Sequence, residues 1–429
     1  MFRLLNACDL LTVVYPLFQL KGELNPAYRH RLSWTTCGRF FKAFIPLRLG
    51  VNRILLVCLH YSAHFRLIYA APDDGKYYVR PIYVISPGEE GKFQAPSDVA
   101  CDKMAACRRI GFAMRLLQTL TAESLFAEGV QRHTFLCSDR EYRLTPADSN
   151  EVSPTHVQCW LHYSNISREE WLNDAPVTVW RKLAKEIYNR YEDIFPTSKW
   201  VAFVACSRYN FPAETSTHNL TYEEMLQFSK AHFALGTGGL ALLGTSTLHA
   251  WPEDLDGLQK ALLDGRRIDK TDLMDDTAYR HTFWAAFATG LGSVWHELGH
   301  CFGLHHSSDG IMYRGCDDIH LCLGFTPPDF ECPNGCKNGQ KWNKNVVEIV
   351  PHMLHPPAPL PTILQFQQYR CLSATAEKHE NVASSWGFCS SVWHQGSAFW
   401  GREQTVRLIR CPWIVVASRD ADGLVAKKM

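Results

Sequence analysis

The sequence lacks an apolar run long enough to cross a lipid bilayer, and it lacks an excess of charge of either sign. A membrane-spanning helix needs about 20 predominantly apolar residues, whereas the apolar stretch at residues 52–71 is interrupted by histidine and arginine. Lysine and arginine number 44 against 43 aspartates and glutamates, a formal net charge of +1. We therefore expect no membrane anchor, and the charge gives no reason to expect nucleic acid as a partner.

The chain also lacks the dense cysteine spacing of a small disulfide-linked secreted domain. Its 16 cysteines are scattered irregularly over 429 residues, so we expect most of them to be reduced and buried. Asp9 and Pro16 interrupt the first apolar stretch and no small-residue cleavage site is clear, which argues against a cleaved signal peptide. Sequons at Asn165 and Asn219 arise often by chance. The expected location is cytoplasmic.

Hydrophobic periodicity divides the rest of the chain into strands and helices. Residues 50–95 combine short apolar runs with Pro and Gly punctuation, which is typical of strands and turns. Further along, apolar residues at helical spacing and one run rich in Val and Phe predict the following elements: helices at 111–128, at 168–194 with an interruption near Pro176, at 222–232 and from about Thr282 onward, and a strand at 199–206.

This order of elements predicts an α/β fold in which helices pack on a twisted, mostly parallel sheet. We divide the chain into a β-rich segment at 1–75, a central domain at 76–345, a proline-rich linker at 346–362 and a tail at 363–429. The tail shows weak periodicity, so the sequence assigns it no function. Glycines in LGTGG (235–239) allow close backbone approach, and LALLGTSTL (240–248) is predicted to be a strand beside a cleft.

The last predicted helix carries the pattern HExxHxxGxxH, from His296 to His306. Residues four apart lie on one face of a helix, so His296 and His300 can offer two imidazole nitrogens to one metal ion at about 2.0–2.1 Å. Glu297 adjoins the first ligand but points off its axis, which lets its carboxylate act as a general base toward the attacking water. The pattern therefore predicts a catalytic zinc site.

Two further positions complete the predicted site. Gly303 can adopt a positive φ where the helix must end sharply, and the turn that follows brings His306 to the metal as third ligand. Three protein ligands leave the fourth tetrahedral position open, as in catalytic zinc sites. His305 is the alternative third ligand, but the spacing selects His306. HExxH alone also occurs by chance in helices; Gly303 and His306 argue against coincidence.

With these residues the sequence resembles the metzincin clan of zinc peptidases, which is named for a methionine turn after the third histidine. The resemblance implies one catalytic zinc ion, the fold of that clan, and Met312 packed beneath the metal. Tyr313 follows Met312 directly, so the tyrosine role of some metzincins is not carried over.

More closely, the chain resembles the largely uncharacterised zinc metallopeptidase family of fungi and animals. The likeness covers about residues 75–345 and is carried by RPIYVI, GKFQAP, LLQTLTAE, SRYNFP, LGTGGLALLG and WHELGHCFGLHHSSDGIMYRGCDDI. It implies a metallopeptidase domain at 76–345 and says little about the substrate.

Several residues outside the motif have both a functional and a structural interpretation. Asp317 and Asp318 could orient the ligating histidines or be solvated loop acids. Arg208 and Tyr209 could face a cleft or cap surface structure. Four cysteines could hold a second metal, but their spacing matches no usual zinc module, so we interpret them as buried or unpaired thiols: Cys316, Cys322, Cys332 and Cys336.

The sequence as a whole predicts zinc-dependent hydrolysis of peptide bonds in a peptide or protein substrate. An extended peptide could pair with LALLGTSTL as an edge strand, which favours an endopeptidase. Two alternatives are a catalytically silent zinc-binding scaffold for interactions and a zinc hydrolase of non-peptide amides. Glu297 argues against the scaffold because a structural zinc site needs no such carboxylate. The sequence leaves the cleavage preference and the oligomeric state open.

Overall fold

The structure is a computed structural model that describes residues 76–137, 159–212, 220–323 and 398–416, together with the backbone of seven strands within 2–69 and at 342–351. The helices in these residues are α1 Lys103–Ala127, α2 Arg168–Asn173, α3 Pro176–Arg190, α4 Tyr222–Gln227, α5 Leu255–Leu262, α6 Phe283–Cys301, α7 Ile319–Leu323 and α8 Arg402–Leu408. The strands are β1 Phe2–Leu4, β2 Leu11–Phe18, β3 Leu32–Cys37, β4 Phe40–Leu47, β5 Gly50–Cys58, β6 Tyr61–Tyr69, β7 Tyr78–Ile85, β8 His133–Phe135, β9 Trp160–Tyr163, β10 Ser198–Val204, β11 Arg208–Tyr209, β12 Ser229–Lys230, β13 Ala234–Thr237, β14 Leu240–Leu243, β15 Trp342–Pro351 and β16 Ile414–Val416.

A five-stranded sheet forms the centre of the fold, in the order β13-β14-β10-β7-β9. Strands β14, β10, β7 and β9 are parallel to one another, and β13 pairs antiparallel to β14 at the edge. The fold is therefore mixed α/β with a mostly parallel sheet, as the sequence predicted. The prediction that LALLGTSTL provides the edge strand is wrong: its first four residues form β14, which is paired on both sides, and β13 is the edge.

Successive residues of the central strands point to opposite faces, so each strand contributes to two cores. On β10, Trp200 and Ala202 pack with residues of α2 and α3, whereas Val201 and Phe203 pack with residues of α1 and α6. Helices cover both faces of the sheet. This double burial explains why KWVAFV is a continuous apolar run instead of an alternating one.

The predicted helices lie where the periodicity placed them, with different ends. The interruption near Pro176 is confirmed, because α2 ends at Asn173 and α3 begins at Pro176. Helix α1 begins earlier than predicted, where the Asp102 side chain accepts hydrogen bonds from the first backbone N–H groups. Helix α4 is shorter than predicted because Ser229 and Lys230 pair with β11.

A second sheet of seven strands, in the order β1-β2-β4-β3-β15-β5-β6, contains the β-rich amino-terminal segment. Strand β15 comes from much later in the chain and pairs with both β3 and β5. It includes 346–351, which the sequence assigned to the linker. The β-branched residues of NVVEIV favour a strand there, and the remainder of the predicted linker, 352–362, lies outside the described residues.

Part of the predicted tail is built into the main core. Strand β16 pairs antiparallel with β8, and Ala398, Trp400 and Leu408 are completely buried in the cluster that also contains α1 and α6. The other residues of the predicted tail, 363–397 and 417–429, lie outside the described part. Residues 398–416, called here the C-terminal segment, therefore pack as a component of the α/β core.

Two expectations from composition can be compared with the described residues. No helix among them is long and apolar enough to cross a membrane. Nine cysteines are described with their side chains, all are free thiols and most are buried.

Candidate metal centre

Helix α6 ends with the predicted motif, and its end is set by glycine. The helix finishes at Cys301, and Gly303 has φ of +84°. The Leu304 N–H donates to the Gly299 carbonyl at 3.1 Å, so the chain turns back across the last helical turn. The positive φ predicted for Gly303 is confirmed.

The turn brings three histidine rings together. The Nε2 atom of His306 lies 3.2 Å from Nε2 of His296 and 3.1 Å from Nε2 of His300. Among the described residues these three side chains form the group suited to hold a metal ion. His305 is exposed and lies outside this group.

The opposite sides of two of these rings are tied to the backbone. The Nδ1 atom of His296 donates to the Ile311 carbonyl at 2.6 Å, and Nδ1 of His300 donates to the Leu304 carbonyl at 2.9 Å. With the proton on Nδ1, each Nε2 is left with a lone pair. Burial lowers the pKa of His296, the hydrogen bond to Ile311 acts in the opposite direction, and the adjacent imidazoles lower the pKa further, so that the net shift favours the neutral ring.

Neutral imidazole lone pairs that face one another repel unless a cation lies between them. Nitrogen atoms bound to one tetrahedral zinc ion at about 2.0–2.1 Å are separated by about 3.3 Å. The two Nε2 separations from His306, 3.2 and 3.1 Å, are close to this value. The donor set and its spacing therefore fit a zinc ion with three imidazole ligands.

Glu297 is buried beside this cluster under the edge strand. Its side chain is 8% exposed, and its Oε2 accepts a hydrogen bond of 2.6 Å from the Gly236 N–H on β13. Burial raises the pKa of the Glu297 carboxyl, while the Gly236 N–H and His300 act in the opposite direction. A Cβ atom on Gly236 would lie closer than 3.0 Å to the Glu297 backbone. Only glycine allows β13 to approach α6 this closely.

The space beneath α6 is filled by two large side chains. Met312 is 1% exposed and Trp400 is completely buried. A Cβ atom on Gly299, the residue before His300, would lie closer than 3.0 Å to the Met312 Sδ and 3.2 Å from the Trp400 ring. Met312 and Trp400 therefore both pack against α6 at the turn that holds His300.

Other residues singled out in the sequence have structural contacts instead. The Nδ1 protons of His296 and His300 are accepted by backbone carbonyls and not by the carboxylates of Asp317 or Asp318. The Asp317 carboxylate instead accepts from Thr289 at 3.4 Å. The guanidinium of Arg208 donates to the carbonyls of Ala205, Ser207 and Lys92, and the Tyr209 hydroxyl donates to the Lys270 carbonyl. Cys316 and Cys322 join no metal-binding group that the described residues could form, and Cys332 and Cys336 lie outside those residues.

The sequence analysis missed most of what surrounds the ligands. The carbonyls of Ile311 and Leu304 are backbone groups, and any residue type would provide them. Trp400 lies about 100 residues after the motif and has no local pattern that connects it to α6. The close approach of β13 to α6 at Gly236 could be anticipated from the sequence, because the glycine-rich run predicted tight backbone contact there.

Comparison with known proteins assigns this chain to a family of peptidases. The family model described as "Putative peptidase family" matches residues 22–348, and the chain belongs to that family. The match contains the histidine cluster and the whole five-stranded sheet, whereas the C-terminal segment lies outside it.

Curated relatives in two fungi are named in similar terms. A "putative zinc metalloproteinase" of Schizosaccharomyces pombe is 26% identical over 314 residues, which are 70% of this chain and 47% of that protein. Another of the same description, from Saccharomyces cerevisiae, is 28% identical over 149 residues, which are 31% of this chain and 20% of that protein. The chain thus spans less than half the length of either relative.

Crystal structures of OgpA from Akkermansia muciniphila are similar at a low level. Wild-type OgpA matches with 14% identity and a TM-score of 0.33, over 56% of this chain and 51% of OgpA. Catalytically inactive OgpA in complex with an O-glycopeptide substrate matches with 13% identity and a TM-score of 0.35, over 62% and 61%. Values this low do not establish a shared fold.

Proposed function

We propose that this chain is a zinc-dependent peptidase in which His296, His300 and His306 hold one zinc ion and Glu297 is the general base. The observation that carries the proposal is the convergence of three Nε2 atoms on one point, with two Nδ1 atoms committed to backbone carbonyls. Membership of a peptidase family supports the reaction class, and the names of the fungal relatives support zinc as the metal.

A zinc ion held by three imidazoles supplies a Lewis acid that polarises a carbonyl group and lowers the pKa of water. Glu297 supplies the proton transfer. Its Oε2 is engaged by the Gly236 N–H, so Oε1 is the oxygen that takes a proton from the attacking water and returns it to the leaving amine. Burial raises the pKa of this carboxyl and so makes it a stronger base than an exposed glutamate.

An extended peptide would bind along β13, which makes endopeptidase activity the specific proposal. β13 is the edge strand of the sheet, and an unpaired edge can accept a peptide as an additional strand. Gly236 on this strand bonds to Glu297, so the scissile bond would lie beside the base. Ala234 and Thr237, at the two ends of β13, are exposed, which leaves room for a substrate that continues in both directions.

We further propose that the site is of the metzincin type. Met312 beneath α6 and the glycine turn before His306 support this assignment. The proposed metallopeptidase domain spans 76–345 and is completed by the C-terminal segment, which packs in the same core.

The first experiment is zinc analysis of the purified wild type and of Glu297→Ala and His300→Ala, combined with cleavage of an unbiased peptide library. One zinc per chain in the wild type, retained in Glu297→Ala and lost or weakened in His300→Ala, with cleavage by the wild type alone, would support the proposal. Internal cleavage of end-blocked peptides would support the endopeptidase mode.

Three other outcomes separate the alternatives. Stoichiometric zinc without turnover of peptides or amides would favour the interaction scaffold. Turnover of small acylated amines but not of peptides would favour a hydrolase of non-peptide amides. A wild-type protein without zinc would refute the proposed site.

A further inference from the structure

The C-terminal segment lies beneath the helix that carries two of the ligands, and we propose that it positions the metal-binding histidines. The inference rests on the proposed function and concerns residues outside the family match, which ends at 348. Two contacts carry it: a backbone hydrogen bond from Ile311 to Phe399, and the packing of Trp400 against α6.

Ile311 connects the C-terminal segment to the first ligand through its two peptide groups. The Ile311 N–H donates to the Phe399 carbonyl at 2.8 Å, and the Ile311 carbonyl accepts from Nδ1 of His296 at 2.6 Å. Ile311 is completely buried, so water does not replace either partner. The carbonyl that orients His296 is therefore held in place by the C-terminal segment.

Trp400 touches α6 on both sides of this histidine. Its ring packs edge to face on Trp295, with centroids 4.9 Å apart at 73°, and Trp295 immediately precedes His296. The same ring lies 3.2 Å from the position of a Cβ on Gly299, which immediately precedes His300. A movement of Trp400 would thus shift the helical turn that holds both ligands.

The C-terminal segment also contacts parts of the core other than α6, so its position does not depend on α6 alone. The backbone N–H of Trp400 donates to the Ser124 hydroxyl on α1 at 2.9 Å. The Ala398 carbonyl accepts from the Cys322 thiol at 3.3 Å, and β16 pairs with β8. Trp400 therefore lies between α1 and α6 as a fixed support. Partners that orient metal ligands typically change metal affinity 10- to 100-fold when removed.

The test compares Trp400→Phe with Trp200→Phe in the 429-residue chain. Both tryptophans are buried, but Trp200 packs with Tyr191 and Trp160 in the core on the opposite face of the sheet. Zinc affinity is measured by competition with a chromophoric chelator, ligand geometry by the visible spectrum of the cobalt-substituted protein, and stability by urea unfolding. Ser124→Ala, a small change on α1, provides a second variant that loosens Trp400 without altering its ring.

We expect Trp400→Phe to bind zinc about tenfold more weakly or worse and to change the cobalt spectrum. Ser124→Ala should act in the same direction with a smaller effect, and Trp200→Phe should lose stability without either change. If Trp400→Phe and Ser124→Ala kept wild-type zinc affinity and spectrum, the segment would only be packing and the inference would fail. A wild type that bound no zinc would overturn the proposed function as well, which distinguishes the two failures.

Discussion

His249, a buried histidine outside the metal centre, couples stability to pH. Its ring packs nearly perpendicular to the Phe283 ring, and burial lowers the pKa of its imidazole to about 4. An unfolded chain would titrate this group near 6.5. Because the folded pKa lies below the unfolded pKa, the unfolded chain binds the proton more readily, and the folded state loses stability as the pH falls from about 6.5 toward 4.

Replacing this imidazole should reduce the sensitivity to acid. Between pH 8 and pH 5 the wild type should lose about 2 kcal/mol of unfolding free energy through His249, and His249→Leu should not lose that part. Urea unfolding of both proteins at the two pH values, after removal of metal with a chelator, measures the difference. Equal losses in the two proteins would contradict this origin of the pH dependence.

Gly303 offers a second test at the scale of one residue, because Gly129 provides a matched control. Both glycines follow the cap of a helix, have φ near +85° and leave open space where a Cβ would be. Alanine at either position should cost about 1 kcal/mol of stability through backbone strain. Gly303→Ala alone should also weaken zinc binding, since this turn places His306.

The test measures the zinc affinity and the unfolding free energy of both variants, Gly303→Ala and Gly129→Ala. Equal destabilisation with unequal zinc affinity is the expected result. Unchanged zinc affinity in Gly303→Ala would mean that the turn does not determine the position of the third histidine.

The contact of β13 with α6 depends on Gly236, and Gly239 in the same glycine run serves as its control. A Cβ on Gly236 would collide with the Glu297 backbone, whereas a Cβ on Gly239 would meet only the Lys199 side chain at 3.5 Å. Gly236→Ala should push the strand away from Glu297 and lower kcat/KM about 10- to 100-fold, because the base loses its orienting N–H. Zinc content should remain, since no ligand lies on β13.

Gly239→Ala should retain near wild-type cleavage of the same peptide. Loss of activity in both variants to the same degree would show that the glycine run matters for strand formation in general and not for the approach to Glu297.

The elements that the sequence predicted well are those with a local signal. Helix α6 has apolar periodicity, and the histidine positions follow from helical geometry and from the glycine that ends the helix. The edge strand was assigned to the wrong residues because an apolar run such as LALL looks the same inside a sheet and at its border. The predicted linker begins too early, at 346, because the prolines that follow β15 indicate a linker while the β-branched residues of 346–350 favour a strand.

The contacts around the ligands could not be predicted for a different reason. The acceptors of the His296 and His300 protons are backbone carbonyls, and their identity depends on where the chain passes after Gly303. Trp400 reaches α6 through tertiary packing alone, and its neighbours in sequence show no periodicity that would indicate burial.

For the whole molecule, zinc should act as a stabilising ligand. An ion that binds the folded state stabilises it according to its free concentration relative to Kd, by about 4 kcal/mol at 1,000 times Kd. Chelation should therefore lower the Tm of the wild type, and zinc should restore it. His306→Ala should respond much less in thermal unfolding, and a wild-type Tm that is insensitive to chelator would argue against a bound ion.

The side of α6 that contains Trp295 and Gly299 is buried only late during synthesis of the chain. Trp295 and Gly299 are covered by Trp400, which the ribosome adds about 100 residues later. At roughly 5–20 residues per second, that delay lasts about 5–20 s. Throughout this interval the nascent chain carries an apolar helix with one side exposed, so recognition by chaperones and aggregation should be concentrated between emergence of the histidine motif and emergence of Trp400.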